Sequence, residues 1–166
     1  MPLTDQLDRL AAFDPVGAPV ISLYLNTQPD QHGRDNYDTF VRKELKARTI
    51  TYSEGGDRAG LERDQARIEA YLNREVQPSA NGVAIFACDA ADLFEAIQLD
   101  APIAEHWLSI GDRPHLYPLA RIASEFPRYA VLLVDTNSAR ILVVADGAVA
   151  SEASVDHIKT RRTSQG

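Results

Sequence analysis

Gly82-Val83-Ala84-Ile85-Phe86-Ala87-Cys88 is apolar from end to end and gives way abruptly to Asp89. A strand wetted on one side alternates apolar and polar side chains. An unbroken apolar run belongs to a strand covered on both faces. The segment therefore reads as a central strand, and the rest of the fold is read outward from it.

Upstream, a helix from about Asp57 to Glu75 buries Leu61, Ile68, Tyr71 and Leu72, and Gln77-Pro78 ends it. Ser53-Glu54-Gly55-Gly56 separates it from an earlier helix, opened by Asp35 or Asn36, with the stripe Tyr37, Phe40, Val41 and Leu45. Before that lie a polar loop, Gln28 to Arg34, and the buried strand Pro19-Val20-Ile21-Ser22-Leu23-Tyr24-Leu25-Asn26. The strands at Ile21 and Val83 flank a helical hairpin, so a crossover connection is expected. Thr4 is positioned to cap a first short helix through Leu7, Leu10 and Ala11 to Phe13, stopped by Asp14-Pro15.

Downstream, Asp89-Ala90-Ala91-Asp92 reads as a turn and Leu93 to Leu99 as an alternating strand. A weaker strand, Glu105 to Ile110, and a short helix around Leu119 to Ser124 follow. Glu125-Phe126-Pro127-Arg128 marks a change of texture. After it come Tyr129 to Asp135, Ala139 to Val144 and, beyond Asp146-Gly147, Ala148 to Val155. The expected fold is α/β: a mixed β-sheet with a flanking helical hairpin, then a β-rich meander that begins a second domain. The expected boundaries are 1–126 and 127–166. The second part is too small to bury a core of its own.

Composition narrows the classes of function. The chain has 166 residues, 45% hydrophobic and 25% charged, with 17 Lys and Arg against 24 Asp and Glu. The resulting charge of −7 argues against general coating of nucleic acid. No apolar run approaches membrane-spanning length, and Met1-Pro2-Leu3-Thr4-Asp5 lacks the basic and apolar parts of a signal peptide. A cytoplasmic protein without a membrane partner is expected. Cys88 is the one cysteine, which leaves no internal disulfide and no Cys-based zinc cage.

Catalytic patterns are missing from the sequence. His32, His106, His115 and His157 fall in no paired-ligand spacing and read as solvent-facing or structural. There is no nucleophile elbow, Gly55-Gly56 lacks the Lys and Ser/Thr of a phosphate loop, and Cys88 reads as a buried, inert thiol. No catalytic residue, metal ligand or cofactor is assigned.

Two basic features remain. Arg42, Lys43, Lys46 and Arg48 share the exposed face of the first long helix, with Glu44 the only counter-charge. A solvated helix face complementing its own dipole gives the same pattern. As a functional feature, several cations on one rigid face suit a phosphate backbone. The second feature is the terminal run His157, Lys159, Arg161, Arg162 and Gln165. From Asp156 onward the chain carries +2, against −9 for the remainder. It reads either as a polar tail or as an arm for RNA phosphates. The chain stops on Ser164-Gln165-Gly166 without a capped ending, which suggests a fragment.

In order and spacing these motifs resemble the archaeo-eukaryotic class 1 release factors and their bacterial and pelota-like relatives. The Val20 to Thr27 strand looks like that family's first strand, and Asn81 to Ala87 like its Asn-Gly-hydrophobic strand after the helical hairpin. Tyr129 to Asp135 with Ala139 to Leu142 is similar to the opening of its middle domain. The basic His157 to Gly166 run falls where the family's arm leads into a Gly-Gly-Gln loop. The resemblance implies the ribosome as partner, through rRNA and tRNA, with a translational GTPase beside it. Two departures matter. Ser164-Gln165-Gly166 is not Gly-Gly-Gln, and Thr51-Tyr52-Ser53-Glu54-Gly55-Gly56-Asp57 replaces the stop-codon readers' Asn-Ile-Lys-Ser. Hibernation or rescue therefore fits better than decoding. The competing readings are a peptidyl-tRNA or tRNA hydrolase in full-length form and a non-catalytic α/β binding or oligomerising module.

Overall fold

Each face of the central strands needs its own helical layer, and the fold supplies both. The computed structural model describes residues 2–29, 37–53, 58–125, 129–136, 138–145 and 148–156. A four-stranded sheet runs in the order β3-β2-β1-β4, with β1 at Val20–Asn26, β2 at Gly82–Cys88, β3 at Leu93–Leu99 and β4 at Trp107–Gly111. Every residue of β2 is buried, and β1 is buried up to its final Asn26.

Odd and even positions of these strands feed different cores, as side-chain alternation demands. Ile21, Leu23, Leu25, Val83, Ile85 and Ala87 meet the helical hairpin. That hairpin consists of α2 (Tyr37–Phe40), a wide turn (Val41–Leu45), α3 (Lys46–Ser53) and α4 (Arg58–Arg74). Leu61, Ile68, Tyr71 and Leu72 are buried as their spacing predicts. Tyr24, Ala84 and Phe86 point the other way, against α1 (Leu3–Ala11) and α5 (Tyr117–Glu125) through Leu3, Leu10, Leu119 and Ile122.

The α/β class, the flanking hairpin and the β-rich meander are as expected, and strand direction is the detail that differs. All ladders are antiparallel, with Leu23 opposite Ile85 and Tyr24 opposite Trp107, so the sheet is not mixed in direction. The reason lies in the hairpin. One crossover helix returns the chain for a parallel strand, whereas two antiparallel helices leave it at the end where it started. The first helix also begins differently: it starts at Leu3, with Pro2 at the cap position and no side-chain cap from Thr4. Proline's fixed φ prepares that entry without a hydroxyl.

The wide turn at Val41–Leu45 is π-helical and has a packing cause. Tyr37, Val41, Leu45 and Thr49 are all buried and lie at strict intervals of four. In a regular α-helix such positions drift by about 40° per step, so the stripe would rotate off the sheet. A stretch of wider turns cancels the drift. The exposed residues one position on, Arg42, Lys46 and Ile50, are aligned by the same correction.

The meander forms a separate three-stranded sheet, β5 (Tyr129–Val134), β6 (Ser138–Ala145) and β7 (Ala148–Asp156), antiparallel throughout. Several of its apolar side chains are exposed, Leu132 at 61% and Val134 at 67%, while Val131 and Leu142 to Val144 are partly covered. Arg140 and Glu152 pair across it at 2.6 Å. Among the described residues no helix is long and apolar enough to cross a membrane.

Candidate functional site

The four cations of the first hairpin helix are all exposed, as their spacing opposite the apolar stripe requires. The structure nevertheless divides them. Arg42 and Lys46 line a groove of about 690 Å³ between α3 and α4, together with Ile50, Arg58, Glu62 and Glu69. Lys43 and Arg48 do not line it, and Arg48 leans back on Glu44 at 3.4 Å. The groove continues as a hollow of about 360 Å³ past Asp38, Arg42, Glu69 and Asn73.

Arg58 is a groove cation that the sequence pattern does not single out. It belongs to the opposite helix and meets the others only in the folded hairpin. Its guanidinium pairs with Glu62 at 2.8 Å, while Glu69 accepts a hydrogen bond from Gln65 at 2.9 Å. Lys46 makes no ion pair among the described residues, and Arg42 spends one N–H on the Asp38 carbonyl at 3.4 Å. One wall thus presents positive charge that is not neutralised, and the other presents carboxylates. Such a groove admits a polyanion along the α3 side and repels it from α4.

The turn after β2 locks the hairpin to the sheet. Asp64 is buried and accepts the Asp89 backbone N–H at 2.9 Å. Two N–H groups of Arg63 reach the Asp89 carboxylate, the shorter at 2.6 Å. The Arg63 hydrogen bond holds the Asp89 carboxyl below the usual carboxylate range. Arg67 lies over the Phe94 ring, 4.7 Å from its centroid. Both cations already have partners within the fold.

The remaining expected site residues, His157, Lys159, Arg161, Arg162 and Gln165, lie outside the described residues, as does His32. Cys88 is buried at the end of β2. His115 is exposed, with its ring stacked on Trp107, and its backbone binds both Tyr24 and Ser22.

His106 has a structural role. Its Nδ1 accepts the Asn26 backbone N–H at 3.2 Å, and its ring lies against Phe40. Burial holds its pKa below the usual 6.5, so the folded chain favours the neutral ring. The unfolded chain then binds the proton first. Stability should fall as pH drops through 6.5, until the lower folded-state value is passed. Urea midpoints at about pH 7.5 and about pH 5.5 should show this drop, and His106→Gln should flatten it. An equally steep drop in the variant would assign the effect to other groups.

The hairpin, the antiparallel sheet and the following meander can be compared with solved structures as one succession of elements. An archaeal translation termination factor, aRF1, superposes with a TM-score of 0.54 at 19% identity, covering 90% of this chain and 43% of that one. The chain folds like this termination factor. A structure described as an archaeal protein gives the same figures. The chain therefore spans less than half the length of the proteins it matches, and at this identity the likeness is one of fold. No protein-family model and no curated protein matches the chain.

Proposed function

We propose that this chain is part of a ribosome-associated translation factor of the release-factor-like type. The observation that carries the reading is the fold shared with a termination factor over 90% of the chain. The lysine and arginine line on the hairpin supports it, because it supplies a rigid phosphate-facing edge on an acidic protein. Residues 1–126 are then an N-terminal domain and 127–166 the start of a middle domain. The protein acts in the cytoplasm, against rRNA and tRNA, with a translational GTPase as a further partner.

Hibernation or rescue, in the manner of bacterial members of that family, fits this chain better than decoding. The stretch between the hairpin helices carries Glu54 and Asp57, whose charge opposes mRNA phosphates. Basic contacts remain at the hairpin wall and at the terminal run. Association driven by such patches depends on counterion release and weakens steeply with salt.

Sedimentation with ribosomes over a potassium chloride series tests this. The chain should pellet with ribosomes at low salt and leave them as salt rises. Replacing Lys159, Arg161 and Arg162 together by Glu should lower the log–log salt slope by about 2 to 3, on the scale of 0.7 to 0.9 per phosphate contact. Failure to pellet at low salt, or a slope unchanged by the triple replacement, counts against the reading.

A further inference from the structure

The sheet face opposite the hairpin carries a hollow of about 520 Å³ that the ribosome reading does not use. Its residues come from separate parts of the chain. Tyr24 of β1 and Trp107 of β4 stand on neighbouring strands, with ring centroids 6.0 Å apart. His115, from the connection after β4, stacks on Trp107 at 4.3 Å and 32°. Tyr117 opens α5 and is 70% exposed. Glu105 and Glu125 complete the lining.

The polar groups in this hollow are already sorted by their partners. The Tyr24 hydroxyl donates to the His115 carbonyl at 2.6 Å and the ring is fully buried, so Tyr24 backs the hollow and the accessible aromatic surface is that of Trp107, His115 and Tyr117. Arg121 is committed to Glu125 at 2.7 Å, forming a locally neutral pair. Glu105 has no ion pair among the described residues. What is left for a ligand is aromatic surface beside a carboxylate. Tryptophan provides the strongest aromatic face for a cation, and a carboxylate completes a guanidinium or ammonium site. The same set repels a phosphate.

Two further features bear on the ligand's form. β4 is an edge strand, and among the described residues nothing pairs with its outer side. A chain lying along such an edge is extended and sends alternate side chains to one face. The chain carries −7 overall, and its cations from Asp156 onward leave −9 on the rest, which draws a cationic partner over long range.

We propose that this hollow seats an arginine or lysine side chain of an extended basic peptide segment, held between the Trp107–His115 stack and Glu105. The proposal is independent of the ribosome reading, because it rests on the opposite face of the sheet and on attraction of cations.

Trp107 is the sole tryptophan, so its emission reports on this hollow alone. A short peptide alternating arginine and proline should change that emission saturably. The same peptide with glutamate for arginine should leave it unchanged. Glu105→Gln is an exposed change and should keep the melting temperature while weakening the arginine peptide about fivefold or more. Absence of a saturable response up to about 1 mM arginine peptide overturns the proposal. So does equal affinity in Glu105→Gln, or a response to oligouridylate in place of the peptide.

Discussion

Arg42→Glu combined with Lys46→Glu is expected to weaken ribosome association by about tenfold or more at low salt, and to reduce the salt slope by about 2. These residues lie on one line because the π-helical turn keeps intervals of four in register, so they act as neighbouring phosphate contacts. Reversal removes both contacts and adds two carboxylates to a groove that already holds Glu62 and Glu69. The two added carboxylates and Glu69 would then repel RNA. Both side chains are exposed, so the fold should be unaffected. Lys43→Glu is the matched control, since Lys43 lies on the same helix but does not line the groove. Its effect should be clearly smaller. Equal losses from Lys43→Glu and Lys46→Glu would make the contact a diffuse helix face, and no loss from the double reversal would remove the groove from the interface.

Phe86→Ala should destabilise the fold by about 3–5 kcal/mol. Phe86 is fully buried on β2 and meets Tyr24 edge-on at 5.8 Å and 88°. It belongs to the core that holds α1 and α5 against the sheet. Removing the ring leaves a cavity in a strand hydrogen-bonded on both sides, where little collapse is available. A fall in the urea midpoint of about 1–2 M or more is the expected readout. Leu132→Ala in β5 removes similar chemistry from a largely exposed position and should stay within about 0.5 kcal/mol. Comparable losses at the two positions would mean that β5 is covered in solution.

The parts of the fold that the sequence revealed are those governed by local periodicity. The unbroken Gly82 to Cys88 run announced a covered strand, and Leu61, Ile68, Tyr71 and Leu72 announced the inner face of α4. Features set by two elements at once were not legible. Antiparallel direction depends on the hairpin's second helix, and the wide turn at Val41–Leu45 depends on a stripe with intervals of four meeting the sheet. The candidate site follows the same division. Exposure of Arg42, Lys43, Lys46 and Arg48 was readable from the stripe opposite them. Which of them share a groove with Arg58 was not, because α4 decides it. Tyr24, Trp107, His115 and Tyr117 form no motif, since the chain brings them together only through β1, β4 and α5.

The position of Cys88 has a practical consequence. It is the only sulfhydryl in the chain, and it is fully buried at the end of the central strand. A soluble alkylating reagent can reach it only when β2 parts from its surroundings, so labelling follows how far that opening is populated, or its rate where alkylation outpaces reclosing. The protein thus carries a chemical clock for its own interior. The clock can be read by mass spectrometry on unmodified protein, and any ligand that tightens the sheet will slow it.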